Sequence, residues 1–153
     1  MNLLFVCTGN TCRSPMAEAI ALDALRRDGH FSGAAVASAG MAAFPGDGAT
    51  PEAVRVCKDH GLDISGHRSR ALTTDLIAYS DHIYTMTLAQ AVQLRQIVPQ
   101  YAARIAPLSP AGDIADPFGG DIDTYQRTYD QIASAIAARL DEWKTNKQKE
   151  NET

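Results

Sequence analysis

The chain has 153 residues, 45% of them hydrophobic and 21% charged, which suits one globular domain with a sizeable core. A formal net charge of −4 argues against general nucleic-acid binding, no apolar run is long enough to span a membrane, and no basic stretch leads into a long apolar core as in a signal peptide. Three cysteines without the spacing of a zinc site suit a reducing compartment, so the expectation is a cytoplasmic monomer that needs no metal and no cofactor. His30, His60, His67 and His82 are scattered and read as surface or capping histidines.

The first predicted element is a strand, Leu3–Cys7, built on the apolar run Leu3-Leu4-Phe5-Val6. It leads into the octapeptide Cys7-Thr8-Gly9-Asn10-Thr11-Cys12-Arg13-Ser14. A helix over 15–28 follows, with Ser14 as its N-cap and Pro15 at the first helical position. Further strands are expected at Ala34–Ser38, His82–Met86 and Arg104–Leu108, and further helices at 51–60, 72–79, 88–98 and 121–144. The last helix is the clearest. Ile122, Tyr125, Tyr129, Ile132, Ile136, Leu140 and Trp143 recur at three- and four-residue steps, and Asp121 is placed to cap it. Strands alternating with helices predict an α/β domain with a parallel sheet, over residues 1–144. Residues 145–153 are polar and charged and read as a fraying tail. In such sheets the site lies at the carboxyl ends of the strands, where Cys7 falls.

The octapeptide combines a nucleophile, a phosphate cradle and a clamp. A strand, a tight loop and a helix start aim backbone N–H groups and a positive helix end at one point. Gly9 permits a close approach of backbone to ligand, and Asn10 tolerates left-handed backbone while bonding its neighbours. Cys7, surrounded by these donors and by Arg13, is set to react as a thiolate. Arg13 can grip two oxygens of a tetrahedral oxyanion with its planar fork, and Ser14 can donate to the sulfur. The predicted chemistry is attack of sulfur on phosphorus.

That attack needs a proton for the leaving atom. The Pro- and Gly-rich stretch Ser109–Gly120 offers Asp113 and Asp116. Asp116 is the favoured acid, because Pro117 stiffens its loop and Phe118 could exclude water beside it. Asp113 reads as a turn residue.

Taken together, Cys7–Pro15, Ser38-Ala39-Gly40, His67-Arg68-Ser69-Arg70 and Asp116-Pro117-Phe118-Gly119-Gly120 resemble the low-molecular-weight protein tyrosine phosphatases, in order and over residues 1 to about 144. The resemblance implies a four-stranded parallel sheet flanked by helices, a phosphocysteine intermediate, no metal and a phosphorylated protein as substrate. It makes Cys7 the nucleophile and Arg13 the phosphoryl clamp. Asp116 would first be general acid, then general base, with Asn10 and Ser14 supporting the loop. Thr8, Gly9, Thr11 and Cys12 complete the phosphate-binding loop.

Typical tyrosine phosphatases of this kind carry Ile or Val at Thr11 and Tyr at Phe118. Thr11 and Phe118 make the chain more similar to the bacterial protein-arginine phosphatases. A hydroxyl beside a donor-rich phosphoguanidinium can accept a hydrogen bond or position water, which an apolar residue cannot. Phosphoarginine is therefore the expected substrate, with phosphotyrosine as the alternative. Phe44, in the loop Met41–Gly48, favours the second if it stacks on an aromatic ring. Arsenate reduction would require a downstream cysteine pair, and only Cys57 follows Cys12. A domain that binds phosphoproteins without turnover would not need the acid. Cys12 could form a reversible disulfide with Cys7 or simply pack beneath the loop.

Overall fold

A computed structural model describes residues 1–153. Four strands, β1 (Asn2–Cys7), β2 (Ala35–Gly40), β3 (His82–Thr85) and β4 (Ile105–Pro107), form one parallel sheet in the order β2-β1-β3-β4. The helices are α1 (Arg13–Asp28), α2 (Pro51–Asp59), α3 (Thr74–Tyr79), α4 (Leu88–Ile97) and α5 (Ile122–Glu152), with a 3-10 turn at Pro99–Arg104. This is the four-stranded α/β architecture expected. No helix is long and apolar enough to cross a membrane.

β1 lies at the centre and is covered on both faces. Leu3, Phe5 and Cys7 pack with residues of α1 and α5, whereas Leu4 and Val6 pack with Ile77, Ala91 and Leu94 of α3 and α4. Burial on both sides explains why the strand reads as an unbroken apolar run rather than an alternation. In register, Cys7 stands opposite Gly40 of β2, and Val6 opposite Thr85 of β3. The segments that leave these strands therefore emerge together at one edge of the sheet.

α5 is capped as expected: the Asp121 side chain accepts the Thr124 N–H at 2.9 Å. Tyr125, Tyr129, Ile132, Ile136 and Trp143 are buried along its inner stripe. The indole N–H of Trp143 donates to the Tyr84 hydroxyl at 2.9 Å, and Tyr84 stacks on Phe5 with centroids 5.9 Å apart. The helix continues to Glu152, through the segment read as a fraying tail. Lys144 pairs with Asp28 at 2.6 Å, Lys147 lies over the Phe31 ring at 5.3 Å, and the Lys, Gln and Glu residues there favour helix.

α1 also departs from expectation. It starts at Arg13, with Cys12 in the cap position and no side-chain cap, so Ser14 is not the N-cap and Pro15 is the third helical residue rather than the first. The Ser14 hydroxyl is occupied elsewhere, as described below. β2 runs two residues beyond its expected end because Ala39 and Gly40 pair with the end of β1.

Trp143 joins α5 to the sheet through both area and a hydrogen bond. Trp143→Ala should lower unfolding stability by about 3–5 kcal/mol in urea denaturation. A loss of under about 1 kcal/mol would show that α5 is held elsewhere.

Candidate active site

The octapeptide loop closes around the Cys7 sulfur. The Asn10 backbone N–H reaches Sγ at 3.2 Å, and the Ser14 hydroxyl lies 2.9 Å from it. Asn10 Nδ2 donates to Ser14 Oγ at 2.8 Å. The Ser14 oxygen accepts there, which leaves its hydroxyl proton able to reach a Cys7 thiolate. Cys7 thus accepts two hydrogen bonds, the arrangement a thiolate fills. The open start of α1 adds first-turn N–H groups that no side chain caps, at the positive end of the helix.

Asn10 is the residue of the loop with left-handed backbone (φ 57°) and is fully buried. Its side chain also donates to Ser38 Oγ at 3.0 Å, its Oδ1 accepts the Arg70 N–H at 3.0 Å, and its carbonyl accepts from His67 Nε2 at 2.8 Å. Ser38 in turn donates to Glu18 at 3.1 Å, and Arg70 Nε donates to the Ser38 carbonyl at 3.0 Å. His67 Nδ1 faces Glu18 Oε2 at 3.9 Å. His67 is therefore not the surface or capping histidine expected: its side chain is 10% exposed and holds the loop from behind. Burial pushes the Glu18 carboxyl above its ordinary value, against the pull of the Ser38 hydrogen bond and of His67 and Arg70.

Gly40, which sequence reading did not single out for its backbone, is where the protein's own packing requires a glycine. A Cβ on Gly9 would meet only Thr11 Oγ1, at 3.6 Å, an ordinary contact. A Cβ on Gly40 would lie 2.6 Å from the Thr8 carbonyl oxygen and 3.1 Å from Asn10 Cβ. The close approach that needs a glycine is thus made by the end of β2, which packs against the loop from outside. Two backbone bonds accompany it, Met41 N–H to the Cys7 carbonyl and Ala42 N–H to the Thr8 carbonyl, both at 2.9 Å.

Arg13 is 6% exposed. Its Nη1 donates to the Ile114 carbonyl at 3.0 Å, and Nη2 stands 3.8 Å from the Asp116 carboxylate. The guanidinium thus joins the octapeptide to the Pro- and Gly-rich loop. The two carboxylates of that loop separate clearly. Asp113 accepts the Leu88 N–H at 2.9 Å and ties the loop to the start of α4. Asp116 faces Arg13 with 58% of its side chain exposed, and accepts the Phe118 N–H at 3.1 Å. Thr128 and Gln131 of α5 hold Ala115 from below, at 3.3 Å each. Phe118 is 73% exposed, so in this conformation it does not shield Asp116 from water as expected.

The remaining candidates lie within the octapeptide or on the segment after β2. Thr8 accepts from Gln90 Nε2 at 3.2 Å. Thr11 Oγ1 has a weak contact with the Cys12 sulfur at 3.8 Å, while its carbonyl accepts the Thr50 N–H at 2.9 Å. The Cys12 thiol is buried against the hydroxyls of Tyr125 at 3.4 Å and Thr50 at 3.6 Å. Cys7, Cys12 and Cys57 are all free. Cys57 packs in the core, where burial pushes its thiol up to about 12. Phe44 is 80% exposed, three residues after the β2 turn that touches the loop. Sequence reasoning named none of Glu18, Ser38, His67 and Arg70 as part of the site. Ser38, His67 and Arg70 do fall inside the short motifs that carry the resemblance.

A family profile described as low molecular weight phosphotyrosine protein phosphatase matches residues 2–150. The chain is similar to the protein-arginine-phosphatase of Bacillus subtilis, 36% identical over 141 residues that cover 89% of this chain and 92% of that protein. It is also similar to PtpB of Staphylococcus haemolyticus, a low molecular weight protein-tyrosine-phosphatase, 41% identical over 142 residues covering 89% and 95%. Among solved structures, the YwlE arginine phosphatase from Geobacillus stearothermophilus matches with a TM-score of 0.87 at 33% identity, covering 97% of this chain and 96% of that one. A YwlE mutant with a phosphorylated active-site serine matches with a TM-score of 0.88 at 34% identity, covering 94% and 96%.

Glu18 supplies a pH test of the network behind the loop. A carboxyl raised on folding favours its protonated form, so its stabilising contribution is full below the ordinary value of 4.5 and is lost as pH rises through the raised one. Glu18→Gln removes the buried charge and keeps the shape. Its stability relative to the parent should rise from pH 4.5 towards neutrality, as read from denaturant midpoints across pH. A relative stability that stays flat or falls over that range would show that burial does not dominate at Glu18.

Proposed function

The chain belongs to the low molecular weight phosphotyrosine protein phosphatase family, and within it we propose that this protein removes phosphate from phosphoarginine in proteins, through a phosphocysteine intermediate on Cys7. The observation that carries the reaction is the position of Arg13. Its guanidinium lies between the loop that encloses the Cys7 sulfur and the carboxylate of Asp116.

In this reading the Cys7 thiolate attacks phosphorus, while Arg13 and the loop N–H groups take the charge that develops on the phosphoryl oxygens. Asp116, protonated, gives its proton to the leaving nitrogen as the P–N bond breaks. The resulting carboxylate then takes a proton from water, which attacks the phosphocysteine. Inorganic phosphate leaves, and the thiolate is restored with Ser14 and Asn10 still donating to it. The serine-phosphorylated YwlE mutant supports a covalent step at the matching position.

Thr11 supports the choice of phosphoarginine. Its hydroxyl is held only by a weak contact to the Cys12 sulfur and so is available to a guanidinium N–H or to the attacking water. The arginine-phosphatase relatives point the same way. A second reading, phosphotyrosine, draws on the similarity to PtpB and on the exposed ring of Phe44, which could stack on an aryl group. We take the protein to act as a monomer, since one chain supplies every group of the site. A reducing cytoplasm suits its three unpaired cysteines.

Assayed side by side on phosphoarginine and phosphotyrosine peptides, the parent should prefer phosphoarginine, and Thr11→Ile should move the preference towards phosphotyrosine. A parent that prefers phosphotyrosine would overturn the substrate assignment and leave the chemistry intact. Loss of all turnover in Cys7→Ser is required on either substrate.

Asp116→Ala should slow turnover by roughly 10²- to 10⁴-fold, as expected for a general acid. Asp113→Ala should cost much less, since Asp113 anchors the loop to α4. The reverse order of effects would give the acid role to Asp113.

A further inference from the structure

We propose that Ser69 is a positioning residue that fixes the substrate wall carried by Phe44. This rests on the reading of the loop as a phosphatase pocket with Phe44 at its rim. The Phe44 ring is 80% exposed, so packing does not hold it, and its place is set by its backbone.

Ser69 sets that backbone. It is 3% exposed, and its hydroxyl acts in both directions. Oγ donates to the Phe44 carbonyl and accepts the Asp47 N–H at 2.9 Å. Two backbone bonds complete the clasp, from Gly46 N–H to the Ser69 carbonyl at 2.8 Å and from Ser69 N–H to the Asp47 carbonyl at 2.7 Å. Gly46, with φ of 92°, makes the turn that lets residues 44–47 fold back over Ser69.

The same short segment reaches the phosphate loop. His67 and Arg70, on either side of Ser69, bond the carbonyl and side-chain oxygen of Asn10. One strap of four residues thus holds the floor of the pocket and its wall. The floor depends on His67 and Arg70, and the wall depends on the Ser69 hydroxyl. Ser69→Ala removes two hydrogen bonds from the wall and none from the floor. The exposed loop can recruit water to replace them, so the fold survives while the wall loosens. Phe44 would contact the part of the substrate that leaves rather than the phosphoryl group. Its loosening therefore weakens binding and spares the chemical step.

The test uses two probes that need no turnover, benzylphosphonate and inorganic phosphate, titrated by calorimetry into the parent, Ser69→Ala, Phe44→Ala and the double variant. Ser69→Ala should weaken benzylphosphonate binding by about 3- to 10-fold, the scale of one net hydrogen bond. Phosphate affinity should stay within about twofold of the parent, and the benzylphosphonate effect should vanish in the Phe44→Ala background. On an aryl phosphate, KM should rise in parallel while kcat holds. Equal weakening of both probes would place the action of Ser69 at Asn10 instead and overturn the proposal. So would unchanged benzylphosphonate affinity, or an effect that persists undiminished without Phe44. The binding arms decide the matter whichever phosphorylated residue the enzyme prefers, so a failed substrate assignment is distinguishable from a failed clasp.

Discussion

Asn10 sits in left-handed backbone at the centre of the octapeptide, fully buried, and five hydrogen bonds hold it there. Such backbone costs an ordinary residue on the order of 1 kcal/mol, and each bond contributes about as much in return. The turn at Asn10 points its N–H at the Cys7 sulfur. Its side-chain amide fixes which way the Ser14 hydroxyl faces. Its carbonyl and Oδ1 receive the strap at 67–70. Remove the turn and the sulfur loses one donor directly and a second through Ser14.

The sheet makes this convergence possible. β1 and β2 end level with one another, so Gly40 meets Thr8 and Asn10 without room for a side chain. β3 ends beside them and passes into α4, whose Gln90 reaches Thr8 and whose first N–H binds Asp113. β4 delivers the loop that Arg13 grips at Ile114. Segments leaving four strand ends thus converge around the Cys7 loop and Arg13. The long helix α5 closes the far side and supports the acid loop through Thr128 and Gln131.

The sequence was legible where chemistry is local. Cys7, Arg13 and Ser14 lie within eight residues, and the strand and helix that frame them have strong apolar signals. Asp116 could be separated from Asp113 by Pro117 and Phe118 beside it, and the structure gives the two carboxylates different partners. The support behind the loop was not legible. Asn10 reaches Ser38, His67 and Arg70 across 28, 57 and 60 residues, and only closure of the sheet brings them together. Periodicity carries no trace of such contacts. The helix start was misread for a related reason. Ser-Pro is a good capping signal, but the Ser14 hydroxyl is taken by Asn10 and Cys7, and the helix opens two residues closer to the cradle without it. Gly40 shows the same limit, since its close packing on Thr8 and Asn10 comes from a neighbouring loop rather than from its own segment.

Thr11 occupies a different position from its neighbours. Asn10, Arg13 and Ser14 are each held by more than one hydrogen-bond or ion-pair partner, whereas the half-buried Thr11 hydroxyl has one weak polar contact, to the Cys12 sulfur. Exchange at this site leaves the scaffold of the loop unstressed. The octapeptide is therefore part scaffold and part open slot. A substitution at Thr11 breaks none of the hydrogen bonds that converge on the Cys7 sulfur, so this one position can vary without dismantling the cradle around it.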